Sequence, residues 1–104
     1  MEKRNIPIGL PSMGIEEWEA TKEPIMSGWI TQGPKVREFE RMFAERHQVK
    51  HAIAVSNCTT ALHLALVACG VGPGDEVIVP AFTWVSTANA VMYCHAKPVF
   101  VDID

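Results

Sequence analysis

The run Ala52-Ile-Ala-Val-Ser-Asn-Cys-Thr-Thr-Ala-Leu-His-Leu-Ala-Leu66 changes its periodicity at a polar knot in its middle. Ala52 to Val55 suit a buried strand. Beyond the knot, Ala61, Leu62, Leu64, Ala65, Leu66, Ala68 and Cys69 are apolar nearly all round. Ala and Leu are among the strongest helix formers, so a buried helix is expected over 61–69. The knot is then a strand-to-helix turn. Ser56, Asn57, Thr59 and Thr60 place hydroxyl and amide groups beside the first N–H groups of the helix, which lack intrahelical partners and carry the positive end of its dipole. Such a turn attracts an anion, most often a phosphate. The same residue types are also ordinary helix caps, and local chemistry leaves both readings open.

Composition narrows the classes around this turn. Of 104 residues, 48% are hydrophobic and 20% charged, which suits one soluble globular unit. A net charge of -3 without a long Lys or Arg run offers nucleic acid no basic field. No apolar segment approaches the roughly 20 residues that span a bilayer, and Met1 to Asn5 are not followed by an apolar signal region, so a cytoplasmic protein is expected. Cys58, Cys69 and Cys94 are too few for a disulfide framework and read as reduced core thiols. His47, His51, His63 and His95 make no pattern with metal-ligand spacing, so no metal is expected.

Taken in order, Ile6 to Pro11 hold two prolines and a glycine and suit an extended arm. Ile15 to Trp29 can form a helix that Pro24 is expected to kink or divide, with Glu16 and Glu17 at the end where negative charge suits the dipole. Trp29 to Pro34 read as a turn. From Lys35 to Gln48, Val36, Phe39, Met42 and Phe43 recur at helical spacing on one face. The organisation expected is an N-terminal arm and helix over 1–34, then an α/β domain from 35 to 104. Gly70 to Asp75 end the central helix; these glycines follow a helix and precede a strand, so they are no dinucleotide fingerprint.

Glu76 to Val79 form a second strand closed by Pro80, Phe82 to Thr87 a second polar turn into an Ala-rich helix, and Lys97 to Asp102 a third strand. Strand, helix, strand, helix, strand implies parallel pairing through crossovers, which brings both strand-to-helix turns to one sheet edge, where open α/β sheets bind ligands. Ser56 to Thr60 are thus expected to face Phe82 and Trp84 across a common pocket. A phosphate-binding turn beside a large flat ring suits a phosphorylated aromatic ligand. Taken alone, Trp84 is more often core than cofactor platform, given what a buried ring contributes.

These blocks also carry a resemblance. Thr31-Gln-Gly-Pro34 with Phe39-Glu40, Val55 to Leu66, Gly74 to Pro80, Phe82 to Ala90 and Pro98 to Asp102 resemble, in order and spacing, the N-terminal part of the DegT/StrS family. The resemblance implies the large domain of the aspartate-aminotransferase type of fold, pyridoxal 5'-phosphate (PLP) as cofactor, and transfer of an amino group, mostly from glutamate, to a nucleotide-linked keto sugar. It also implies a homodimer. Carried onto this chain, it makes Thr59 and Thr60 the phosphate-side contacts, Trp84 the ring that stacks on the pyridine, Ser56 and Asn57 supports of the turn, and Thr31 and Gly33 part of the substrate-side rim. Cys58 occupies a cofactor-side position where many members have glycine, so a side chain there limits how closely the backbone approaches the phosphate.

The lysine that forms the Schiff base and the aspartate that pairs with the pyridine nitrogen come, in this family, from segments beyond the last matched block. Lys3, Lys22, Lys35, Lys50 and Lys97 lie in arm, turn or strand-start settings, and Asp102 and Asp104 belong to an earlier block, so none is given a catalytic role. The expectation is a piece of a longer enzyme, inactive alone. The alternatives are a non-catalytic fragment and part of a related sugar dehydratase.

Overall fold

The computed structural model describes Pro7 and residues 9–103. Ile6 and Ile8 of the expected arm, Lys3 and Asp104 lie outside the described residues. The chain divides into two compact units, Met1–Ala52 and Ile53–Asp104.

The first unit is helical. Helix α1 spans Ile15–Ser27 and runs through Pro24, which therefore does not divide it. Proline costs a helix one N–H donor and a steric conflict one turn back, and ordinary hydrogen bonds on either side carry the helix across. The Glu17 carboxylate accepts the Gly14 N–H at 2.6 Å, and this bond holds its pKa below the ordinary carboxylate value. Gly28, at φ 72°, ends the helix in the left-handed conformation that glycine adopts without strain. Helix α2 spans Pro34–His47, with Pro34 in the first turn, where its missing N–H would have had no partner. Its apolar side is not sealed: Phe39 and Phe43 are 55% and 46% exposed and meet each other and His47 at ring separations of 5.7 and 4.3 Å.

The second unit opens with helix α3, Cys58–Ala68, which begins three residues before the expected start because Asn57 caps it there. Strand β1, Glu76–Pro80, crosses through helix α4, Ser86–Tyr93, to strand β2, Lys97–Val101. The strands pair in parallel with Glu76 opposite Lys97 and Pro80 opposite Val101. Residues 52–55, expected as the first strand, stand outside this two-stranded sheet. Composition can show that a segment suits a ladder, but a ladder also needs a neighbour whose N–H and C=O groups match it.

The core of this unit is small. Val79, Val91, Cys94 and Ala96 are buried together, with Leu66, Val71 and Val77 packed against them. Helix α3 contains no buried residue, contrary to expectation: it packs on α4 along one side, and Leu64 and Val67 are 48% and 53% exposed. Of the three thiols only Cys94 is a core residue; Cys58 and Cys69 are free and exposed. No helix among the described residues is long and apolar enough to cross a membrane, and no cluster of His, Cys, Asp or Glu there could hold a metal.

Candidate functional site

The start of α3 is a closed hydrogen-bond network built by three polar residues, Ser56, Asn57 and Thr60. Asn57 Oδ1 accepts the Thr60 N–H at 2.9 Å and the Thr60 hydroxyl at 3.2 Å, while Asn57 Nδ2 donates to Ser56 Oγ at 3.2 Å. This side-chain cap satisfies the third N–H of the helix. The N–H groups of Cys58 and Thr59, first and second in the helix, have no acceptor among the described residues. The first turns of α3 and α4 carry no acidic residue to oppose an anion. Each helix start places about half a positive charge at its end.

The two helix starts are linked. Thr59 Oγ1 donates to Ser86 Oγ at 3.0 Å across 27 residues, in a half-buried setting. Sequence reasoning named both polar turns but missed this pairing. The signal was the coincidence of a hydroxyl in the first turn of each of two helices that pack together. Thr87 N–H donates to the Trp84 carbonyl at 3.0 Å, which holds the backbone of Trp84 against α4. Trp84 is 78% exposed and Phe82 86%, so neither ring is core within this structure. The ring that burial would have claimed is left open beside the helix start.

The expected site residues thus fall into two groups. Cys58, Thr59, Thr60 and Trp84 gather on the α3 and α4 starts of the second unit, with Cys58 exposed and Thr59 and Thr60 half-buried. Thr31 and Gly33 belong to the first unit, where they line a cavity with Glu23, Ser27, Trp29 and Lys35. Lys35 Nζ lies 3.6 Å from Glu23 Oε2 at its rim. Gly33 is buried, and a Cβ there would overlap the indole of Trp29, whose Nε1 donates to Gln32 O at 3.1 Å. Gly33→Ala is therefore expected to push the Trp29 indole outward and break that bond, destabilising the first unit by about 1 kcal/mol. A red shift in tryptophan emission that disappears in a Trp29→Phe background is the expected sign, and an unchanged spectrum would contradict the close approach.

Lys97 illustrates why a nearby amine need not be a nucleophile. Its Nζ donates to Glu76 Oε1 at 2.7 Å, and this bond raises the pKa of the amine, keeping it protonated. It also stands at the first pair of a five-residue parallel register, whereas the α4 start follows the far end. Four residue steps at ~3.3 Å each put about 13 Å between the ends.

The second unit is thus a parallel β-α-β crossover with a side-chain-capped start to α3 and an exposed aromatic ring just before α4. The chain belongs to the DegT/DnrJ/EryC1/StrS aminotransferase family, whose model matches residues 11–104. It is 51% identical over 106 residues to the spore coat polysaccharide biosynthesis protein SpsC of Bacillus subtilis (strain 168), covering 100% of this chain and 27% of SpsC. Spr1654 from Streptococcus pneumoniae, a candidate sugar aminotransferase solved in its PLP form, superposes with a TM-score of 0.89 at 40% identity, covering 97% of this chain and 26% of that one. The aminotransferase TlmJ from Streptoalloteichus hindustanus gives 0.86 at 40% identity over 96% of this chain and 28% of its own. The chain therefore spans about a quarter of the length of the relatives it matches.

Proposed function

We propose that this chain is the N-terminal, cofactor-binding part of a PLP-dependent aminotransferase. The whole enzyme moves an amino group from an amino-acid donor, glutamate, to a keto sugar carried on a nucleotide. It works as a cytoplasmic homodimer, with residues 35–104 opening its large domain. The observation that carries this reading is the α3 start joined to the Trp84 turn through the Thr59–Ser86 bond. Membership of the aminotransferase family and similarity to Spr1654 in its PLP form support it.

The residues present fit the cofactor's two ends. A phosphate dianion needs donors and no opposing charge; the α3 start offers the Cys58 and Thr59 N–H groups, the helix dipole and the hydroxyl of Thr60, while the Thr59 hydroxyl donates to Ser86. A planar heterocycle needs a flat apolar face, which the exposed Trp84 ring offers. When bound, the cofactor supplies an electron sink that makes a carbon beside an amine acidic. This chain's residues hold and orient it: the α3 start fixes the phosphate, Trp84 covers one ring face against water, and Asn57 keeps the turn in shape. Cys58 narrows the approach of the backbone, and Thr31 and Gly33 contribute to the substrate side. The lysine that reacts with the cofactor comes from the part of the family length that this chain does not span.

Trp84→Ala separates cofactor binding from stability in one variant. Because the ring is 78% exposed, its loss is expected to leave thermal unfolding of the full-length apo enzyme nearly unchanged. The same change is expected to weaken PLP retention by roughly three- to tenfold and shift the cofactor's absorbance maximum. Unaltered affinity and spectrum would remove Trp84 from the site. Formation of an aminated nucleotide sugar from glutamate and the keto form tests the reaction itself.

A further inference from the structure

PLP joins its phosphate to its ring through a short CH2–O linker, which confines the two to a narrow range of separations. In the reading above they rest on two turns from different helices, phosphate on the α3 start and ring on Trp84. Those turns must be held in register for both ends to be met at once. The Thr59 hydroxyl donates to Ser86 Oγ at 3.0 Å, and Ser86 stands two residues after Trp84, whose carbonyl is tied to α4 by the Thr87 N–H. Ser86 is the first residue of α4, and Thr59 the second of α3. The bond joins the first turns themselves, where a small rotation of either helix would displace the ring relative to the phosphate donors.

We propose that Ser86 is a positioning residue of the cofactor site. Its Oγ, by accepting from Thr59, sets the spacing between phosphate cradle and ring platform. The inference rests on the cofactor reading of the α3 start, and it assigns to Ser86 a role distinct from general stability. A structural staple would affect every ligand and the unfolding transition alike. A spacer affects only a ligand that touches both turns.

The test uses the full-length enzyme in its apo form, with PLP and inorganic phosphate as separate probes. Phosphate is measured as a competitor of PLP binding and as a thermal-shift ligand. Ser86→Ala is expected to weaken PLP binding about three- to tenfold, as loss of one hydrogen bond would, while phosphate affinity stays within twofold of wild type. Ser86→Thr, which keeps the hydroxyl, is expected to recover most of the PLP affinity. In a double-mutant cycle, Thr59→Val with Ser86→Ala is expected to lose no more PLP affinity than Thr59→Val alone, because each change already removes the shared bond.

Equal loss of PLP and phosphate affinity in Ser86→Ala, or no loss of either, would overturn the spacing role. So would failure of Ser86→Thr to recover binding. The companion variant Asn57→Ala, which opens the α3 cap without touching Ser86, tells the two readings apart. If it leaves both PLP and phosphate affinity unchanged, the phosphate assignment itself fails. If it weakens both while Ser86→Ala weakens neither, the cradle stands and the Ser86 inference alone is lost.

Discussion

Replacing Thr59 and Thr60 together by Val is expected to lower PLP affinity of the full-length enzyme by about two orders of magnitude. A hydrogen bond to a charged group is worth about 1.5–3 kcal/mol and a neutral one about 1 kcal/mol, so loss of the Thr60 contact and of the Thr59–Ser86 bond amounts to about 3 kcal/mol. In the structure both hydroxyls are engaged internally, Thr60 with Asn57 Oδ1 and Thr59 with Ser86 Oγ. The loss therefore combines the Thr60 hydroxyl, which turns toward a phosphate, with the Thr59–Ser86 bond that keeps the two helix starts together. Val preserves the branched shape, so packing changes little. Equilibrium dialysis against PLP reads the effect, and retention equal to wild type would count against an anion at this turn.

The second large effect lies in the core. Val91 is 1% exposed and is the largest fully buried side chain among the described residues, packed with Val79, Cys94 and Ala96. Val91→Ala removes two methyl groups' worth of burial, about 1.6 kcal/mol. Val91→Asp buries a charge with no partner in the core cluster and is expected to cost ~4 kcal/mol or more, which places it among the exceptional substitutions. Against the ~5–15 kcal/mol by which folded domains usually exceed their unfolded state, that abolishes cooperative unfolding near room temperature or moves the midpoint far down. Urea titration of the full-length enzyme followed by circular dichroism measures it. An Asp variant as stable as the Ala variant would show that the α4 packing contributes little.

Much of this was legible before any coordinates. The helices over Ile15–Ser27, Pro34–His47 and Ser86–Tyr93, the loop at Gly70 to Asp75 and the parallel pair β1 and β2 follow from periodicity and from the punctuation of Gly and Pro. Asn57 to Thr60 announced the capped helix start, and the family resemblance named it as a phosphate turn. What stayed hidden was pairwise. Residues 52–55 look like a strand because their composition fits one, and only the positions of other segments decide whether they join a ladder. The apolar circumference of α3 suggests burial, yet burial belongs to whatever lies alongside, and α4 covers one side. The Thr59–Ser86 bond is of the same kind, since no local pattern reports which hydroxyl across 27 residues will be met. Trp84 shows the opposite error of emphasis: a ring that transfer energies favour as core is left in solvent.

The 27-residue separation between Thr59 and Ser86 also has a temporal side. A ribosome adding about 5–20 residues per second makes that interval in roughly 1.5–5 seconds. Closing a loop of this size takes well under a millisecond, since a 10-residue loop closes in about 10–100 ns and the entropic cost grows only with the logarithm of length. Both helix starts are therefore in the nascent chain together, with time to meet, as soon as Ser86 has cleared the exit tunnel. Assembly of the two turns is then paced by translation, and a synonymous codon change that slows or speeds this interval alters when they can first dock.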